Sequence, residues 1–164
     1  MPGLPTTEKQ VAVAGDWHGN TLWALKQLET MARHGITTCL HVGDFGLYRT
    51  PFWRRYLDTV DAAAAAHGIT IAVTDGNHED HAWRLELARK HGDSPAPVRD
   101  NIWLLPRGHR WTAGGRSFLS LGGAPSINFE GLTPRCLLVA RGDAQRQRHP
   151  LGHPQWPRRH HAQP

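Results

Sequence analysis

Three short stretches of this chain carry the side chains best suited to chemistry. Gly15-Asp16-Trp17-His18-Gly19-Asn20 follows the apolar run at 11–14, and Gly43-Asp44-Phe45-Gly46 follows the β-rich run at 36–42. Asp75-Gly76-Asn77-His78-Glu79-Asp80 stands behind a third such run, at 69–73. Each stretch sets a carboxylate, an imidazole or an amide oxygen where a strand gives way to a loop. Those donors suit borderline divalent ions such as Mn, Fe, Zn or Ni, and a shared carboxylate can bridge two of them. In an open parallel α/β sheet, ligands gather at the carboxyl ends of the strands. Asp16, His18, Asp44, Asn77 and His78 are therefore expected to converge on one spot. Glycines beside them, Gly15, Gly43, Gly46 and Gly76, would let the backbone turn tightly there.

The elements that must position these residues are readable from periodicity. Leu22, Leu25, Leu28 and Met31 at helical spacing predict a helix over 20–34, closed by Gly35. A second helix is predicted over 51–67, with Pro51 in its first turn and Gly68 after its end, and a third over 79–91. Strand and helix alternate, which favours parallel strands with helices packed over the sheet, an α/β fold. From Ile102 the texture changes to short β-like runs at 102–105, 110–113 and 117–121, with Gly114-Gly115 as a hairpin turn. One of these strands is expected directly beside the donor-bearing ones.

Other polar and aromatic residues receive plainer readings. Asp75, Glu79 and Asp80 read as helix-start and solvated acids, since acids are favoured at a helix N-terminus. Arg107 and His109 read as surface loop residues, and Trp103 and Trp111 as packing.

Composition sets the outer bounds. A chain of 164 residues has the size of one domain and is long enough to bury a core. Two cysteines, Cys39 and Cys136, are too few for a disulfide framework, and Cys39 lies in an apolar run, which suits a reducing, cytoplasmic setting. No window approaches the roughly eighteen apolar residues of a membrane span, and the first ten residues lack the apolar block of a signal peptide. Most of the formal net charge of +5 belongs to residues 141–164, which hold five arginines, four histidines and four prolines against one aspartate, while residues 1–140 are nearly balanced. The chain thus divides into a domain at 1–140 and a basic tail at 141–164, expected to be disordered because it has almost no aliphatic residues. Nucleic-acid binding through that tail is an alternative function, weakened by the lack of interleaved aromatics apart from Trp156.

Taken together and in this order, Gly-Asp-Trp-His-Gly-Asn, Gly-Asp-Phe-Gly and Gly-Asn-His-Glu-Asp resemble the successive metal motifs of the calcineurin-like metallophosphoesterases, prokaryotic and phage members in particular. The resemblance covers roughly 10–130, including Leu-Gly-Gly-Ala-Pro-Ser after Ser120. It implies a four-layer αββα architecture and a site for two divalent ions that hydrolyses a phosphomonoester or phosphodiester. Asp16 and His18 would be ligands of the first ion, Asp44 the bridge and Asn77 a ligand of the second. His78 would stand outside the ions as the catalytic residue, stabilising the transition state or protonating the leaving oxygen.

The resemblance also shows what this sequence lacks. The family completes its site with later histidines, two of them in Gly-His-x-His, and that motif does not occur here. Its prokaryotic members commonly continue with Trp-Trp-x-x-Glu, where this chain reads Cys136-Leu-Leu-Val-Ala-Arg-Gly-Asp. Suitable codons for the latter, read one base later, spell a family-like Trp-Trp stretch. An alternative to two-metal hydrolysis is therefore a truncated or frameshifted, non-catalytic remnant with a partial metal site, the second ion keeping only Asp44 and Asn77.

Overall fold

The computed structural model describes residues 10–113 and 115–123. Strands β1 (Ala12–Ala14), β2 (Thr38–His41) and β3 (Thr70–Val73) alternate with helices α1 (Thr21–Arg33), α2 (Pro51–His67) and α3 (His81–His91). The strands β4 (Ala96–Pro97), β5 (Ile102–Leu104), β6 (Arg110–Ala113) and β7 (Arg116–Leu119) follow. Five strands form one sheet in the order β1-β2-β3-β5-β4, while β6 and β7 pair separately. β1, β2, β3 and β5 run parallel, so their carboxyl ends share one edge. This is the expected α/β architecture, a mixed sheet flanked by helices, and β5 lies directly beside the donor-bearing strands as predicted.

Alternation along the strands builds two apolar layers. Cys39, Ile71, Val73, Ile102 and Leu104 face a core completed by Leu28 of α1 and Leu57 and Val60 of α2. Leu40 and Ala72 point the other way and meet Leu105, with Trp111 and Phe118 of the hairpin packed against them. Trp111 stacks on Phe118 at 5.3 Å and on His109 at 5.8 Å, so its packing role holds.

Helix boundaries follow their caps. The Asn20 side chain accepts the Trp23 N–H at 3.1 Å, which makes Asn20 the cap of α1 rather than its first residue. Asp80 does the same for α3, so that helix starts at His81 and not at Glu79. The sequence reading missed β4, because Ala96-Pro97 sits in a proline-rich turn. It pairs antiparallel with β5 at the sheet edge, where a proline is tolerated. Among the described residues no helix is long and apolar enough to cross a membrane. Gly114, Cys136, the segment 141–164 and its histidines lie outside the described residues.

His41, at the end of β2, is 1% exposed, and its ring packs edge-on against Trp17 at 4.8 Å and Phe45 at 4.9 Å. Among the described residues neither ring nitrogen has a hydrogen-bond partner. Burial, reinforced by the nearby His18, pushes its pKa down from 6.5 to about 3. Between those values the unfolded chain holds a proton that the native chain refuses. Stability from this group is thus complete above pH 6.5 and lost as pH falls toward 3, by up to about 1.4 kcal/mol per pH unit. In urea unfolding, His41→Leu should gain about 2 kcal/mol on wild type between pH 6.5 and pH 5. Parallel pH profiles for the two proteins would show that the imidazole is not kept neutral by the fold.

Candidate metal centre

Pairing between β1 and β2 continues past the strand ends as hydrogen bonds between loops. The N–H groups of Asp16, His18 and Gly19 donate to the carbonyls of Gly43, Asp44 and Phe45 at 3.0, 2.8 and 3.2 Å. These rungs lock the first two donor loops together. Asp16, His18 and Asp44 each offer one ligand atom, and the three atoms lie within 4.8 Å of one another. His18 Nε2 is 3.6 Å from Asp16 Oδ1 and 3.9 Å from Asp44 Oδ2. Such separations suit one ion with bonds of ~2.0–2.2 Å after small side-chain shifts, and two carboxylates with an imidazole form an apt donor set.

The backbone is strained at these same residues. Asp16, His18 and Asp44 have φ of +57°, +46° and +56°, and they are the positive-φ non-glycine residues of the described chain. Such conformations cost of order 1–3 kcal/mol each and persist where surrounding structure enforces them, often at functional sites. The flanking glycines therefore do not take all the tight turning, as the sequence had suggested. Gly76 serves close approach instead: a Cβ there would run into the Asp44 carboxylate and backbone N–H.

Two acids expected to be solvated are buried. Glu79 is 1% exposed, and its carboxylate accepts the N–H groups of Phe45, Gly46 and Leu47 at 2.7, 3.3 and 2.6 Å. It is the internal anchor of the loop that presents Asp44. Burial outweighs those three donors and pushes its pKa up to about 7, with the Asp44 charge adding to the rise. Asp75 is 2% exposed, with Arg84 Nε 3.3 Å from its Oδ2. Asp80 does cap its helix, and it also pairs with Arg49 at 3.0 Å.

The third loop closes the centre. The His78 N–H donates to Asp44 Oδ1 at 2.8 Å, and the His78 ring stands edge-on to His18 with centroids 5.6 Å apart. Asn77 lines a cleft of about 300 Å³ together with Asp16, Asp44 and Asp75. Leu121, Gly122 and Gly123 form another part of its wall, held by the Gly123 N–H donating to the Asp75 carbonyl at 2.9 Å. All five residues singled out from the sequence thus lie at one end of the sheet, and three of them form the donor cluster. The Glu79 anchor and the close approach of Arg107 to Gly123 were missed, since neither leaves a local signal.

Fold and donor cluster define the class: an α/β protein with a candidate divalent-metal centre at the carboxyl edge of its sheet. The chain belongs to the calcineurin-like phosphoesterase family, whose family model matches residues 9–158. No curated protein matches it.

Proposed function

We propose that this chain holds a divalent ion through Asp16, His18 and Asp44 and brings it to a phosphate ester, as a metallophosphoesterase domain with a partial centre. The observation that carries this reading is the three-residue donor cluster, two of whose members, Asp16 and Asp44, line the cleft. Metal held there would supply Lewis-acid polarisation of a phosphoryl group and activation of a water. Asp44 is the carboxylate best placed to bridge toward a second ion, with Asn77 as that ion's other donor. His78, tied to Asp44 through its backbone, would hold a proton for the leaving oxygen.

A second reading, full two-metal hydrolysis of a phosphomonoester or phosphodiester, draws support from family membership. The partial centre is the better supported, because among the described residues the second ion would have only Asp44 and Asn77. Calorimetric titration with Mn²⁺ beside an assay on an aryl phosphate and an aryl phosphodiester tests both. One ion bound without turnover supports the partial centre; two ions with turnover support the fuller reading. No metal binding would overturn both.

If hydrolysis is present, His78→Ala should lower it by ~10² or more while metal affinity stays within about twofold of wild type. The retained backbone N–H keeps Asp44 in place, so only the imidazole is removed. A fall in Mn²⁺ affinity as large as the fall in rate would contradict the proton-holding role.

A further inference from the structure

The cleft wall is rich in carboxylates: Asp16, Asp44 and Asp75 line it, and among the described residues no lysine or arginine does. A phosphate ester entering it therefore needs positive charge beyond that of bound metal. The arginines Arg49, Arg84 and Arg99 are each engaged with a carboxylate, on Asp80, Asp75 and Asp58 respectively. Among the described residues Arg107 has no such partner.

Arg107 reaches the cleft edge through Gly123. A Cβ built on Gly123 would overlap the Arg107 guanidinium, with Cζ 3.0 Å and Nε 3.5 Å from it, so the guanidinium occupies the place of a side chain at 123. Gly123 has φ of +79° and is part of the cleft wall. The loop that carries Arg107 is fixed to this wall. The Gly108 N–H donates to the Ser120 carbonyl at 2.8 Å, the Ser120 N–H to the His109 carbonyl at 2.9 Å, and the Ser120 and Thr74 hydroxyls lie 3.0 Å apart. The turn thus presents one long cationic side chain over a residue that lacks one.

We propose that Arg107 is a phosphate-binding residue of this cleft, contacting non-bridging phosphoryl oxygens while the Asp and His donors hold metal. The proposal rests on the metallophosphoesterase reading above. A planar guanidinium with paired N–H donors matches a tetrahedral oxyanion better than an ammonium does, so arginine suits this place.

The test uses the full chain and two titrations, Mn²⁺ first and then inorganic phosphate on the Mn²⁺-loaded protein. Arg107→Ala should leave the Mn²⁺ dissociation constant within about twofold and weaken phosphate at least about tenfold, the scale of one lost charge-assisted hydrogen bond. Arg107→Lys should recover part of that loss. Gly123→Ala, which displaces the guanidinium, should weaken phosphate in the wild-type background and add little to Arg107→Ala, since the two changes remove one interaction. Unchanged phosphate affinity in Arg107→Ala, or a parallel loss of Mn²⁺, would overturn the proposal with the metal centre still standing. A wild type that binds no Mn²⁺ would remove the metallophosphoesterase reading itself, and the first titration alone reports that outcome.

Discussion

Asp44→Asn should lower Mn²⁺ affinity more than any other single substitution in the chain and abolish any metal-stimulated hydrolysis. The reason is the number of roles that meet in one carboxylate. Oδ2 faces His18 Nε2 at 3.9 Å within the donor cluster, while Oδ1 accepts the His78 N–H at 2.8 Å and so ties the third loop to the second. An amide keeps the shape but loses the negative charge, and its NH₂ group, if turned toward His78, opposes a donor with a donor. Asp16→Asn removes charge from a side chain that is largely exposed and, among the described residues, carries no loop-to-loop hydrogen bond, so its effect on metal should be smaller. Calorimetric Mn²⁺ titration of wild type and both variants, with urea unfolding to separate binding from folding, checks the ranking. Equal losses in the two variants would show that Asp44 has no special place in the centre.

What the sequence disclosed, and what it hid, divides by the range of the interactions. Asp16, His18, Asp44, Asn77 and His78 were legible because each stands at a strand end, and strand ends are marked by local apolar runs. The parallel sheet then follows from alternation, and its shared carboxyl edge brings the loops together. α2 was legible to its last residue because Pro51, the apolar spacing and Gly68 are all local signals. The tertiary functions of acids were not. Glu79 sits among helix-start residues and looks like one, yet its carboxylate serves amides 32 to 34 residues earlier in the chain. Asp75 was hidden in the same way, since its partner Arg84 lies in the first turn of a helix whose polar residues give no directional signal. Strain was half legible: glycines announced tight turns, but the positive φ angles fall on the donor residues as well.

That hidden acid carries the largest expected effect on folding. Glu79→Ala would leave the N–H groups of Phe45, Gly46 and Leu47 without their acceptor in a site that is 1% exposed. Each buried donor left unsatisfied costs about 1–3 kcal/mol. Even with partial relief from water entering the vacated space, a loss above ~3 kcal/mol is expected, a large share of the ~5–15 kcal/mol that holds a domain together. The same loop presents Asp44, held at φ +56°, and relaxation of that strained residue should withdraw its carboxylate from His18. Metal affinity should therefore fall together with stability, although Glu79 belongs to no donor cluster. Glu79→Gln gives the intermediate case: its one oxygen can serve either Phe45 or the Gly46 and Leu47 pair, while its NH₂ group faces a donor on the other side. The order of urea midpoints should be wild type, Glu79→Gln, Glu79→Ala, and Mn²⁺ affinities measured below the unfolding range should follow it. A Glu79→Ala protein with the wild-type midpoint would mean that this carboxylate only fills space, and that the strand ends alone suffice to hold Asp44 in place.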